Sequence, residues 1–294
     1  MSIPALRPLA LLLAPAALLA WAFLPTFEFL VEKWVEDPQY SHGFLVPLFS
    51  LYLLRQSWRA GRLTPSAPWP VVGAAMLTVM VLPRYVAGGL MFHQLDCLAL
   101  LASLVALTLM AGGRALAVAA APAVGFLIFM VPLPYELERN VGGPLKVVAT
   151  QASTYLLQTA GLPAVAEGNL ILIDEVRLGV VDACSGLKML MTFAAFAVGA
   201  VLLLERTRFE KLLILLGIVP IAVAVNVLRI TATGVAHTLT ADKATLNFTH
   251  DLHGWLMMPA GLGLLAVQLW ALSRLVEPAA PKSDAPAFAA MQFS

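Results

Sequence analysis

The chain has 294 residues, 60% of them apolar and only 12% charged, and 18 Lys+Arg against 17 Asp+Glu leave a net charge of +1. That balance excludes a disordered chain, which combines low hydrophobicity with high net charge, and a nucleic-acid binder, which needs a basic face. Two cysteines cannot build a disulfide-dense scaffold, and a mean hydropathy of +0.86 places the chain in a lipid bilayer.

A span needs about 20 mostly apolar residues. This ruler predicts eight helices, near 9–30, 42–58, 69–87, 90–111, 115–133, 185–204, 212–237 and 252–274. The first has Arg7 before it and a passable cleavage motif, LAPAALLA, but with seven spans behind it we read it as an uncleaved helix. Orientation follows from basic residues in short loops. With eight spans, Arg7, Arg55, Arg59, Arg62, Arg114, Arg206, Arg208, Lys211, Arg274 and Lys282 all fall on one side, which is then cytoplasmic. Glu32, Glu36, Asp37, Glu136, Glu138, Glu167, Asp174, Glu175 and Asp182 fall on the other.

The fold class expected is therefore an all-α multi-pass membrane protein. A single membrane domain covers 1–276, with an extracytoplasmic insertion at about 134–183 and a disordered cytoplasmic tail at 277–294. In the insertion, the residues after Gly142-Gly143-Pro144 read as a short surface helix with an apolar stripe of Val147, Val148, Tyr155 and Leu156, stopped by Gly161 and Pro163. Residues 169–181, rich in β-branched side chains around Asp174-Glu175, read as a hairpin just before the sixth span.

Ionisable groups in spans are costly and default to functional candidates. Cys184 and Lys188 open the sixth span, Arg229 lies in the outer half of the seventh and His237 ends it, and His250, Asp251 and His253 open the eighth. By this topology a thiol, a guanidinium and an imidazole reach one membrane face from three helices. Arg229 lies about 12 Å below His237. The attacking species would be a thiolate, favoured by a helix N-terminus and nearby cations. Histidine can shuttle a proton to a leaving amine. Arginine can stabilise an oxyanion, with backbone N–H groups around Ser185 and Gly186 adding to the hole. Lys188 could assist the thiolate, pair with Asp182 or extend to the interface, and His253 competes with His250 as the acid/base. Tyr40, Ser41 and His42 open the second span, Ser41 as its N-cap. His42 orders a helix start or touches substrate. Cys97 reads as a buried small hydrophobe, and His93 with Asp96 as a packing pair or a proton relay. No metal or cofactor is expected, because the histidines lack zinc-ligand spacing.

These residues also form an ordered set that resembles the exosortase/archaeosortase family. Asp182-Ala183-Cys184-Ser185-Gly186-Leu187 is similar to its cysteine motif, Asn226-Val227-Leu228-Arg229-Ile230 to its arginine motif, and His250-Asp251-Leu252-His253-Gly254 to its histidine motif. Asp251 stands where glutamate is common. Tyr40-Ser41-His42-Gly43 through Pro47, Val131-Pro132-Leu133-Pro134, and Gly161-Leu162-Pro163 with Glu167-Gly168-Asn169 match in order, so the resemblance covers about residues 34–275. It implies a membrane cysteine protease or transpeptidase of the bacterial inner membrane. Such an enzyme acts extracytoplasmically on C-terminal sorting signals made of a Pro-Glu-Pro type motif, an apolar helix and a basic tail. It further implies Cys184 as nucleophile, His250 as acid/base and Arg229 as electrostatic stabiliser, with membrane lipids, the sorting signal and an undefined acceptor as partners. Asn226, His237, Asp251 and His253 would lie around that trio. The alternatives are a non-enzymatic subunit of an exopolysaccharide or protein export system, with His93, Asp96 and Arg229 along a path, or a scaffold whose hairpin binds a partner.

Overall fold

The computed structural model describes residues 6–90, 92–180, 187–240 and 242–275. The tail at 277–294 lies outside them. The described residues are mostly helical, with one small sheet. In order come α1 (Leu6–Ala22), α2 (Leu24–Glu36), a 3₁₀ segment Pro38–Phe44, α3 (Leu45–Arg59), α4 (Pro70–Val79), α5 (Val81–Leu90) and α6 (His93–Phe126), which runs on into a 3₁₀ turn Leu127–Met130. Then follow α7 (Tyr135–Thr159), β1 (Ala164–Glu167), β2 (Leu170–Ile173), β3 (Val176–Gly179), α8 (Leu187–Leu203), α9 (Arg208–Leu216), α10 (Ile218–Leu239) and α11 (Lys243–Leu275).

Among the described residues, three stretches are long and apolar enough to cross a bilayer: His93–Met130, Arg208–Leu239 and Leu256–Leu275. A fourth forms if Ala14–Ala22 and Leu24–Glu36 act as one broken span, bent by 58°. Pro70–Val86 and Met189–Leu203 are shorter apolar helices. The helix expected near 9–30 is bent at Phe23, between α1 and α2. Pro25, in the first turn of α2, cannot donate the hydrogen bond that would continue α1. The expected third span is likewise divided between α4 and α5, with Pro83 just past the junction.

The 38-residue stretch His93–Met130 is not one straight rod. Gly112 and Gly113 leave helical geometry, Gly113 with φ 60° and ψ −158°. Thr26 Oγ1 donates to Asp96, and Trp34 Nε1 donates to the Met130 carbonyl at 3.1 Å. Thr26 and Trp34 lie about 12 Å apart along α2, whereas a straight helix would hold residues 96 and 130 about 50 Å apart. The chain must therefore fold back at Gly112-Gly113, giving arms of about 28 and 25 Å. This break falls between the fourth and fifth spans expected from sequence.

Arg84 and Asp96 pin the broken first span. Arg84 Nε lies 2.9 Å from Asp96 Oδ1, Arg84 Nη2 donates to the Ala22 carbonyl at 2.6 Å, and the guanidinium lies 3.9 Å from the Phe23 ring centre. Ala22 ends α1, so the arginine satisfies a carbonyl that the break releases. His93 stacks on Phe29 with centroids 4.3 Å apart. His93 thus packs on α2, while Asp96 pairs with Arg84 and Thr26. Arg84→Met is expected to destabilise the protein by about 2 kcal/mol, below a fully buried pair because both groups are partly exposed. The double variant Arg84→Met/Asp96→Leu should recover most of that loss in a detergent melting assay, and a double variant no more stable than the single one would contradict this account.

The sheet is an antiparallel meander, β1-β2-β3. Two-residue loops connect it at Gly168-Asn169 and Asp174-Glu175, and the positive φ of Gly168 and Asp174 suits such turns. The expected hairpin is β2–β3, and β1 extends it. The α7 expectation needs two corrections. The helix starts at Tyr135, before the Gly-Gly-Pro. The anticipated stripe mostly faces outward, with Val147, Val148 and Tyr155 at 41%, 50% and 69% exposure. The buried face is Ala149, Thr150, Ser153, Thr154 and Leu157. Small residues let α7 approach α10 closely. Ser153 Oγ donates to the Val227 carbonyl at 3.3 Å, and Leu157 lies over Gly234. With Ile171, Ile173, Val180, Val227 and Ile230 these helices and the sheet share a second apolar core, separate from the one around Leu30, Cys97 and Phe126.

Candidate active site

Contacts along α8, α10 and α11 fix their relative register. Phe193 of α8, Ala222 and Val225 of α10 and Met257 of α11 share one cluster. Further along, Ala197, Ile214 and Leu265 share another, and Gln268 Nε2 donates to the Leu213 carbonyl at 2.8 Å. Residue numbers rise on α8 and α11 as they fall along α10 to Ile221 and Ile218 at the second cluster and on into α9, so α8 and α11 both run antiparallel to α10. Counting from the first cluster, Leu187 lies about 9 Å up α8, Arg229 about 6–10 Å up α10, and position 250 about 10 Å up α11. The start of α8, Arg229 and the stretch 250–254 therefore share one height within about a turn. In the sequence Asn247, Thr249, His250, Asp251 and His253 precede the apolar run of α11, so that height coincides with its polar boundary. The sheet packs against this part of α10, with Ile171 and Ile173 in one cluster with Val227 and Ile230, and with Ile173 beside Gly234.

Cys184, Ser185 and Gly186 lie outside the described residues, and for Lys188, His250, Asp251 and His253 the description extends to the helical backbone. The histidine motif does not open its helix as expected. α11 starts at Lys243, about two turns earlier. The polar run 243–255 continues the helix beyond the apolar zone rather than forming a loop. Asn226 is buried, one turn below Arg229, and lines a narrow cleft with Leu145, Ala149, Leu190, Ala222 and Val223. His237 is half-buried in the last turn of α10, about 12 Å above Arg229.

The N-terminal signature packs against α8 from the side. His42 is buried, and its Nδ1 lies 3.1 Å from Thr192 Oγ1. Tyr40 is buried, and its hydroxyl accepts the Leu133 N–H at 3.3 Å. Gly43 has a packing reason, because a Cβ there would come within 2.2 Å of Trp34 Nε1. These contacts join the signature to Val131–Pro134 and to the interior of α8. Ser41 is exposed within the 3₁₀ segment, and α3 begins at Leu45 without a side-chain cap, which corrects its expected N-cap role. Thr192 was not singled out from sequence. Its signal is a hydroxyl in an otherwise apolar run, two turns past Cys184. Cys97 is a fully buried free thiol, as expected of a packing residue.

Fold and packing together define a mostly helical, multi-pass membrane protein with a small three-stranded sheet packed on α7 and α10. The family model for transmembrane exosortases (Exosortase_EpsH) matches residues 34–267, and the chain belongs to that family. No curated protein and no solved structure matches it.

Proposed function

We propose that the chain is a membrane-embedded cysteine peptidase or transpeptidase of the bacterial inner membrane. It crosses the bilayer eight times and cleaves C-terminal sorting signals of exported proteins on the extracytoplasmic side. The supporting observation is the shared height of Arg229, the start of α8 and the stretch 250–254 of α11, in a chain of the exosortase family.

In this reading the Cys184 thiolate attacks the scissile carbonyl. The charge that develops on the carbonyl oxygen is met by the Arg229 guanidinium and by N–H groups at the start of α8. His250 gives a proton to the departing amine, so the C–N bond breaks and the signal's apolar helix and basic tail leave. The acyl group remains on sulfur as a thioester. Water or an acceptor amine then attacks that carbonyl, His250 takes back a proton, and the thiol is restored. Lys188, Asn226, His237, Asp251 and His253 would surround the trio, and Tyr40 with His42 would buttress α8 from the N-terminal half.

The test is adduct capture. A reporter domain ending in Pro-Glu-Pro, an apolar helix of about 20 residues and an arginine tail is co-expressed, and the enzyme is acid-quenched and digested. Mass spectrometry is expected to find the reporter acyl group on the Cys184 peptide and a membrane-impermeant maleimide to label that cysteine from outside. An adduct on another residue, or labelling only from the cytoplasmic side, would overturn the reading.

A further inference from the structure

We propose that the outer edge of β3 is the docking strand for an extended segment of the substrate, held by the backbone of Arg177 and Gly179. This rests on the peptidase reading above and adds to it how the peptide is held.

The ladder fixes which backbone groups are available. The Val180 N–H donates to the Asn169 carbonyl at 2.9 Å, and the register pairs Leu178 with Ile171 and Val176 with Ile173. Bonded residues alternate in an antiparallel ladder. Val176, Leu178 and Val180 therefore face β2, while Arg177 and Gly179 turn their N–H and C=O groups to the other side. Among the described residues no strand, turn or side chain bonds to those four groups, and the Arg177 side chain is exposed. The opposite edge is closed at one end: at β1 the Ala164 carbonyl accepts from Gln158 Nε2 at 2.8 Å and the Ala164 N–H donates to the Leu162 carbonyl, while Ala166, the other residue of β1 turned away from β2, is exposed. The β1 edge is thus partly covered by its own helix, whereas the β3 edge is open at both of its outward residues among the described residues and is the edge that leads to Cys184.

Chain continuity says what covers it. β3 leads into Val180, which is buried in the same core as Val227 and Ile230, the residues on either side of the Arg229 turn. Cys184 follows four residues later, so its Cα lies within about 14 Å of Val180 even with the chain fully extended. A peptide laid along Arg177–Gly179 is thereby kept within a few residues of the thiol. Strand addition grips the main chain and imposes no side-chain requirement beyond alternate positions. That suits an enzyme acting on many proteins that share only a short signal.

The experiment uses full-length protein in nanodiscs and the reporter described above, with two readouts: retention of the uncleaved reporter on Cys184→Ala protein, and cleavage by protein retaining Cys184. Arg177→Pro removes a donor that the β2 ladder does not use, and proline is tolerated on an edge strand. It is expected to lower both readouts about tenfold, the loss of one or two net hydrogen bonds. Arg177→Ala keeps the N–H and is expected to stay within about twofold. Unchanged retention in Arg177→Pro, or an equal loss in Arg177→Ala, overturns the proposal. A measurement on unaltered protein guards against misfolding: competitor peptides N-methylated at one amide at a time should lose potency at every second position, and a flat series overturns the proposal. Edge-dependent retention without any cleavage would instead sink the peptidase reading and leave the docking strand standing.

Discussion

Cys184→Ala is expected to reduce release of the reporter by at least about a thousandfold, the scale of losing the nucleophile in covalent catalysis, while leaving accumulation and melting temperature unchanged. The contrast is Cys97→Ala. Cys97 is fully buried beside Asp96 in the core that joins α2, α3 and α6. Its removal leaves only a small void, expected to cost about 1 kcal/mol, with processing intact. The two variants separate a chemical role from a packing role in a chain with only two thiols. Normal processing by Cys184→Ala would falsify the covalent mechanism, and loss of processing in Cys97→Ala would assign the wrong cysteine.

Gly113→Ala is expected to be the most damaging of the small substitutions. Its φ of 60° with ψ of −158° lies in a region open essentially to glycine alone. An added Cβ would fall 2.1 Å from the Ala67 carbonyl oxygen and 2.6 Å from Ser66 Oγ. Those atoms cannot easily yield. The Ser66 N–H and hydroxyl both donate to the Gly112 carbonyl at 2.9 Å, and the Trp69 N–H donates to the Leu109 carbonyl at 3.0 Å. Backbone strain and clash together should cost about 3 kcal/mol or more, a large share of the stability of a typical domain. Gly125→Ala is the control. Nothing lies within 4 Å of its would-be Cβ, and in a helix the change should gain about 0.5–1 kcal/mol. A melting temperature for Gly113→Ala equal to the parent's would show that the fold-back is not set there.

Much of this was readable from residues because membrane proteins advertise themselves through apolar length and charge placement. The gap at 112–114 between two apolar runs, the β2–β3 hairpin around Asp174-Glu175, and the shared height of Arg229 and the stretch 250–254 were all legible in this way. What escaped has physical causes. Hydropathy averages over a window and so passes across Pro25, although one missing N–H is enough to bend the first span. It measures apolarity rather than helicity, so the polar residues 243–255 did not announce that α11 continues through them. The buried face of α7 was misassigned because the search was for bulky apolar residues, whereas contact with α10 at Gly234 rewards Ala149, Ser153 and Thr154. β1 is short and largely exposed apart from Ala164, so it carries little pattern of its own. Arg84 went unused in the charge asymmetry, and its partner Asp96 was read with His93 instead.

The second core has a consequence for biogenesis. Ile171 and Ile173, both wholly buried, are synthesised well before Val227 and Ile230, which cover them. At roughly 5–20 residues per second, the nascent meander waits several seconds for α10 to leave the ribosome. Its oily side must be shielded in the meantime, and α7, which contributes Ala149 and Leu157 to the same core, is made early enough to do so, so this region closes only once α10 has been delivered.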